Sequence, residues 1–112
     1  MRTPSRLLAV AAAALVAGCS TTNAIQKGNA RLIPESVTFD YTRIAGVLDV
    51  NGRRQSVSIL RYQCMSGVGT LVIEDRTTID NVLISGDKPE DRLFKELCAA
   101  GAQLIQRQGV DR

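Results

Sequence analysis

Three cysteines, at positions 19, 64 and 98, and no histidine in 112 residues set the chemistry this chain can carry. Without imidazole, the commonest general base and metal ligand are missing, and no Ser-His-Asp or Cys-His arrangement can form. Cys64 and Cys98 make no Cys-x-x-Cys unit, so neither a zinc ribbon nor a thioredoxin-like site is expected. Two carboxylates could still act as an acid/base pair, with Asp40, Glu74, Asp75 and Asp80 as candidates. No spacing sets any two of them apart from the solvated side of a strand. Gly67-Val68-Gly69 lacks the remaining glycine and the Gly-Lys-Ser/Thr ending of a phosphate loop, so it reads as a plain connection. Arg53-Arg54 is a candidate surface contact for an anionic headgroup or an acidic partner. Its plainer use is to keep an exposed turn soluble. The expectation is a chain with no catalytic residue, no metal site and no enzyme activity.

The N-terminus carries a different kind of signal. Residues 1–6 hold two arginines and no acid, and Leu7 to Ala17 follow without a charged or polar side chain. A run of about a dozen residues is roughly 18 Å long as a helix, too short for the roughly 30 Å of a bilayer core. It has the layout of a secretory signal peptide. The run ends in Leu15-Val16-Ala17-Gly18-Cys19, which resembles the lipobox of bacterial lipoproteins, although Val16 stands where leucine is commoner. The resemblance covers about the first twenty residues and implies removal of 1–18. It further implies that diacylglyceryl and acyl lipid are attached to Cys19, with no other cofactor. Two or three acyl chains anchor a protein stably, whereas one gives only reversible binding. Ser20 after the cysteine is compatible, in Gram-negative members of that family, with transport to the outer membrane. The expected location is the periplasmic side of that membrane.

Assigning Cys19 to lipid leaves an even pair, Cys64 and Cys98. In the oxidising compartment that export implies, the pair is expected to form a disulfide; two buried free thiols are the alternative. Loss of Arg2 and Arg6 lowers the basic count from 14 to 12 against 11 acids, and the net charge from +3 to +1. No basic cluster exceeds Arg53-Arg54, so nucleic acid is not an expected partner. Residues 19–35 are polar and without hydrophobic period. They read as a lipidated N-terminus and flexible tether, with an irregular segment packed on the domain as the alternative. The folded domain then spans 36–108.

Within it, Ser36 to Thr42 alternates as a half-buried strand, with Val37, Phe39 and Tyr41 on one side. Asn51-Gly52 predicts a two-residue hairpin turn. Counting outward pairs Val50 with Arg53, Asp49 with Arg54, Leu48 with Gln55, Gly46 with Val57 and Ile44 with Ile59. Asp49 and Arg54 are expected to form a cross-strand ion pair. The apolar side switches after Ile59, to Leu60, Tyr62 and Cys64, which predicts a bulge or bend near Leu60-Arg61. Residues 65–69 read as a loop, and 70–74 and 79–85 as strands, the second also compatible with a helical face. Asp87-Lys88-Pro89-Glu90 reads as a helix start with an acidic N-cap. Leu93, Phe94, Leu97, Cys98, Gly101, Leu104 and Ile105 then form one helical stripe.

The expected fold is α+β: a small antiparallel sheet of 3–5 strands with one C-terminal helix packed on a face. The expected function is a membrane-anchored envelope lipoprotein, a non-catalytic binding or scaffolding module acting through protein contacts with an envelope partner. The alternative is a periplasmic module binding a small ligand or envelope polymer such as a lipid or peptidoglycan fragment. A large apolar pocket between sheet and helix would mark the alternative.

Overall fold

Positive φ at both Asn51 (53°) and Gly52 (83°) closes a two-residue turn, the conformation that an Asn-Gly pair adopts at least steric cost. The computed structural model describes residues 21–107. Its elements are helix α1 (21–26), strands β1 (Ala30–Phe39), β2 (Arg43–Val50) and β3 (Arg53–Leu60), helix α2 (Arg61–Ser66), strands β4 (Val68–Ile73) and β5 (Thr77–Leu83), and helix α3 (Pro89–Arg107). The strands form one antiparallel sheet in sequence order, β1 through β5. With α3 packed on it, this is an α+β fold. The hairpin of β2 and β3 has the register counted from the turn, from Val50↔Arg53 out to Ile44↔Ile59.

Alternation decides which face is buried in β2, β3 and β4, while in β5 the buried Ile79 and Val82 lie three apart, across the register shift of the β4–β5 pairing. Ile44, Leu48 and Val50 of β2, Val57 and Ile59 of β3, Leu71 and Ile73 of β4, and Ile79 and Val82 of β5 are all buried. Leu93, Phe94 and Leu97 of α3 close over them. Two glycines let the helix come near. A Cβ at Gly69 would lie 2.8 Å from the Phe94 ring, and one at Gly101 would lie 2.6 Å from Ile44 Cδ1.

The first strand is longer than the alternation of Ser36 to Thr42 indicates, and it is broken in the middle. Its pairing with β2 shifts between Ile33 and Thr38, where Pro34 has no N–H to give to a ladder. Ser36 repairs the gap: its hydroxyl donates to the Ile33 carbonyl (2.6 Å) and accepts from the Val47 N–H (2.8 Å). Tyr41, expected on the inner side of a strand, lies in the β1–β2 turn and is exposed.

Three further expectations need correction. Residues 21–35 are not a flexible tether, because α1 buries Ala24 and Ile25 in the core and β1 begins at Ala30. Of the bulge or bend expected near Leu60-Arg61, the structure has the bend: the strand stops at Leu60 and α2 begins at Arg61. That helix ends on Gly67, whose left-handed φ of 86° donates its N–H to the Gln63 carbonyl, so 65–69 is half helix and half strand. Finally, Asp49 faces Arg54 in register, but its carboxylate accepts from the Gly52 N–H (2.8 Å) and pairs with Arg31 across β1 at 3.9 Å.

The Phe94 ring is fully buried and has nowhere to move. Gly69→Ala should therefore destabilise the domain by about 1–3 kcal/mol through overpacking. The check is the urea midpoint at unchanged slope; an unshifted midpoint would mean that the ring is not held where the structure has it.

Candidate functional site

Cys19 lies outside the described residues, as do residues 1–18. Cys64 and Cys98 come together as expected: α2 presents one and α3 the other, with Cα atoms 5.6 Å apart and a disulfide between them. Its position on the α3 stripe ties the helix to the β3–β4 connection and holds α2 against the sheet. The bond leaves no cysteine thiol among the described residues for catalysis or metal binding.

The four candidate carboxylates are scattered rather than paired. Asp40 sits in the β1–β2 turn, Glu74 and Asp75 in the β4–β5 turn at the opposite end of the sheet, and Asp80 on β5. Glu74 Oε2 accepts from the Ser56 N–H at 2.6 Å, and Asp80 accepts from the Thr70 hydroxyl at 3.2 Å. Asp40 Oδ1 accepts from the backbone N–H groups of Thr42 and Arg43, each at 2.8 Å. Those two amides hold its carboxyl below the ordinary 3.8, so Asp40 works as a turn former. Arg53 and Arg54 are exposed beside the Asn51-Gly52 turn, at the same end as Glu74 and Asp75.

The acid that matters most to the fold is one that the sequence pattern misplaced. The helix starts at Pro89, so Asp91, and neither Asp87 nor Glu90, occupies the third helical position. Its buried carboxylate accepts from the Lys88 N–H (3.2 Å) and reaches back to the Leu83 N–H (2.8 Å), joining α3 to the end of β5. Gly86 leaves the room, since a Cβ there would overlap Asp91. Pro at the first position followed by Asp at the third is the signal that locates it.

The space between α3 and the middle of the sheet is filled; Phe94 and Leu97 have no exposed surface. An open groove of about 570 Å³ runs instead between α3 and β1, with Leu32, Pro34, Leu93 and Ala100 beside the charged Arg31 and Glu96. The second face of the sheet carries half-buried Ile33, Val47, Leu60 and Val72. Exposed large apolar side chains gather elsewhere. Tyr41, Tyr62, Met65, Val68 and Leu83 all lie where β1, β3 and β5 end and β2 and β4 begin. Strand alternation hides this grouping, because it appears only once the topology brings the five ends together.

Among the described residues, no group of three or more metal-ligating side chains is placed to hold an ion, and no helix is long and apolar enough to cross a membrane. Comparison of the chain with family models, with curated proteins and with solved structures gives no match.

Two outcomes are expected. Replacing both Cys64 and Cys98 by Ala should lower stability by about 3–4 kcal/mol, the loop-entropy value for a sequence separation of 34, read as a lower denaturation midpoint that matches reduced wild type. For Asp40, whose folded value is depressed, the turn's contribution is complete above pH 3.8 and is lost as pH falls through the folded value. An NMR titration should place its carboxyl midpoint below 3.8, and a midpoint above that would remove the two amide bonds from the turn.

Proposed function

We propose that this chain is a bacterial lipoprotein, exported and then held on the cell envelope by diacylglyceryl and acyl lipid on Cys19, where it acts as a non-catalytic binding or scaffolding module. The observation that carries the reading is Leu15-Val16-Ala17-Gly18-Cys19 at the end of a charged start and an apolar run. Pairing of Cys64 with Cys98 supports it, since a disulfide fits an exported domain and leaves Cys19 as the odd cysteine. Ser20 favours the periplasmic side of the outer membrane. Action through contacts with an envelope protein is supported by the scattered carboxylates, the filled core and the uncovered second face of the sheet. The alternative, a module for a small ligand or envelope polymer, asks for an apolar pocket between sheet and helix; Phe94 and Leu97 fill the space over the middle of the sheet, and the open groove between α3 and β1, with Leu32, Pro34, Leu93 and Ala100, is the observation that favours it.

The direct test is metabolic labelling of the full chain with palmitate. Wild type should take up label and sediment with membranes, while Cys19→Ala should do neither. A variant that stays labelled and membrane-bound would refute lipidation at Cys19.

A further inference from the structure

We infer that the free edge of β1, with the groove that α3 forms beside it, binds an extended peptide segment with an acid between two apolar residues. The segment adds to the sheet as a further strand. The inference rests on the proposed role as a module acting through protein contacts, and it names the class of partner.

The first observation is that the two edges of the sheet, β1 and β5, differ. The β5 edge is blunted in ways natural sheets use against unwanted pairing. Thr22 and Gln26 of α1 share a recess with Ile79 and Asn81, the Leu83 N–H is taken by Asp91, and left-handed Asn81 (φ 59°) interrupts the extended run. The first half of β1 is open, with Gly28, Asn29, Arg31 and Pro34 exposed. Hydrogen-bond phase gives the direction of its backbone. The Asn51 N–H donates to the Asn29 carbonyl, and Ala30 faces Val50 in register. Bonded positions alternate along an antiparallel pair, so Asn29, Arg31 and Ile33 turn toward β2, and Ala30 and Leu32 turn their N–H and C=O groups outward. The Ser36 hydroxyl, which joins the Ile33 carbonyl to the Val47 N–H, agrees with that phase. Pro34, the next outward position, has no N–H to offer and ends the usable edge.

The second observation is the groove beside those same residues. The Ala30 and Leu32 side chains lie on the face of buried Val50 and Leu48, and α3 walls the groove with Leu93, Ala99 and Ala100. Two alanines keep that wall low. A strand paired with β1 would place every second side chain in this space, so the occupant is apolar at those positions. A small ligand could fill the volume, but the repeated backbone donors and acceptors of an edge are matched by another extended backbone.

The third is charge. Arg31 stands between the two outward positions with its side chain on the other face of the sheet, 84% exposed and 3.9 Å from Asp49. The partner residue opposite it lies within cross-strand reach, where an acid is attracted and a cation repelled. The order Asp49, Arg31, partner acid then alternates in sign across three strands. Arg31 also turns away a second copy of this chain. In each antiparallel β1–β1 register that bonds Ala30 and Leu32 and keeps both strands within residues 28–34, the two Arg31 side chains are opposite or diagonal neighbours.

The test is an NMR titration of the full-length mature protein in detergent micelles, with the state of Cys19 read by mass. The probes are capped heptapeptides, Ser-Thr-Val-Glu-Val-Thr-Ser and its versions with Gln or Lys in the middle. The Glu peptide should shift the amide resonances of Ala30 and Leu32 and those of α3 from Leu93 to Gln103. It should bind about fivefold tighter than the Lys peptide, with the Gln peptide between them. Methylating the two Val amides, which face β1, should abolish binding, whereas methylating the Glu amide, which faces away, should not. Arg31→Glu, at an exposed position, should reverse the order of the Glu and Lys peptides. Absence of binding by all three peptides, or binding that survives methylation of the Val amides, would overturn strand addition. So would shifts confined to the second face of the sheet, at Val47 and Val72, or a dimer that buries β1. A muropeptide that moves the groove resonances where the Glu peptide does not would give the groove to the envelope polymer instead. An unacylated Cys19 would overturn the anchoring and leave the peptide site standing.

Discussion

The seating of Phe94 against Gly69, and of Gly101 against Ile44, sets how near α3 can come to the sheet, and most other features answer to that distance. Five strands present one apolar face, and one long helix has to cover it. A helix held further away would leave Leu71, Ile73 and Val57 in partial contact with water, at a cost that grows with the area exposed. Small residues at the crossing points remove that gap. Asp91 fixes the start of the helix by accepting the Lys88 and Leu83 N–H groups, and the Cys64–Cys98 bond fixes its middle. A helix restrained at both places cannot slide along its stripe, which is what keeps the Phe94 ring over Gly69, a strand position that lacks a Cβ.

One helix does not finish the job, and the N-terminal segment completes it. Ala24 and Ile25 belong to the same core as Val50, Ile79 and Leu93. The Asn29 carbonyl that accepts from the Asn51 N–H brings the entry to β1 beside the hairpin tip. A segment that buries a fully enclosed isoleucine is part of the fold, so any force or attachment applied before residue 21 reaches the core with almost no intervening chain.

Much of this architecture was legible in the sequence where a local signal had one physical solution. Asn51-Gly52 could close only a tight turn, and the pairing followed by counting. The stripe from Leu93 to Leu104 had helical period and nothing else, and the even cysteine pair became a disulfide. Legibility failed where the decisive contact was distant or short. Ala24-Ile25 is too brief to show a period, and only packing reveals it as core. The change of side after Ile59 was visible, yet strand geometry alone could not tell a bulge from a helical turn. Asp87 read as the helix-start acid, and Asp91 holds that place in the structure. The choice between them depended on Leu83, which donates to Asp91 from the neighbouring strand. For the candidate site, Cys64 and Cys98 could be found by arithmetic. The gathering of Tyr41, Tyr62, Met65, Val68 and Leu83 could not, because they are neighbours in topology and not in sequence.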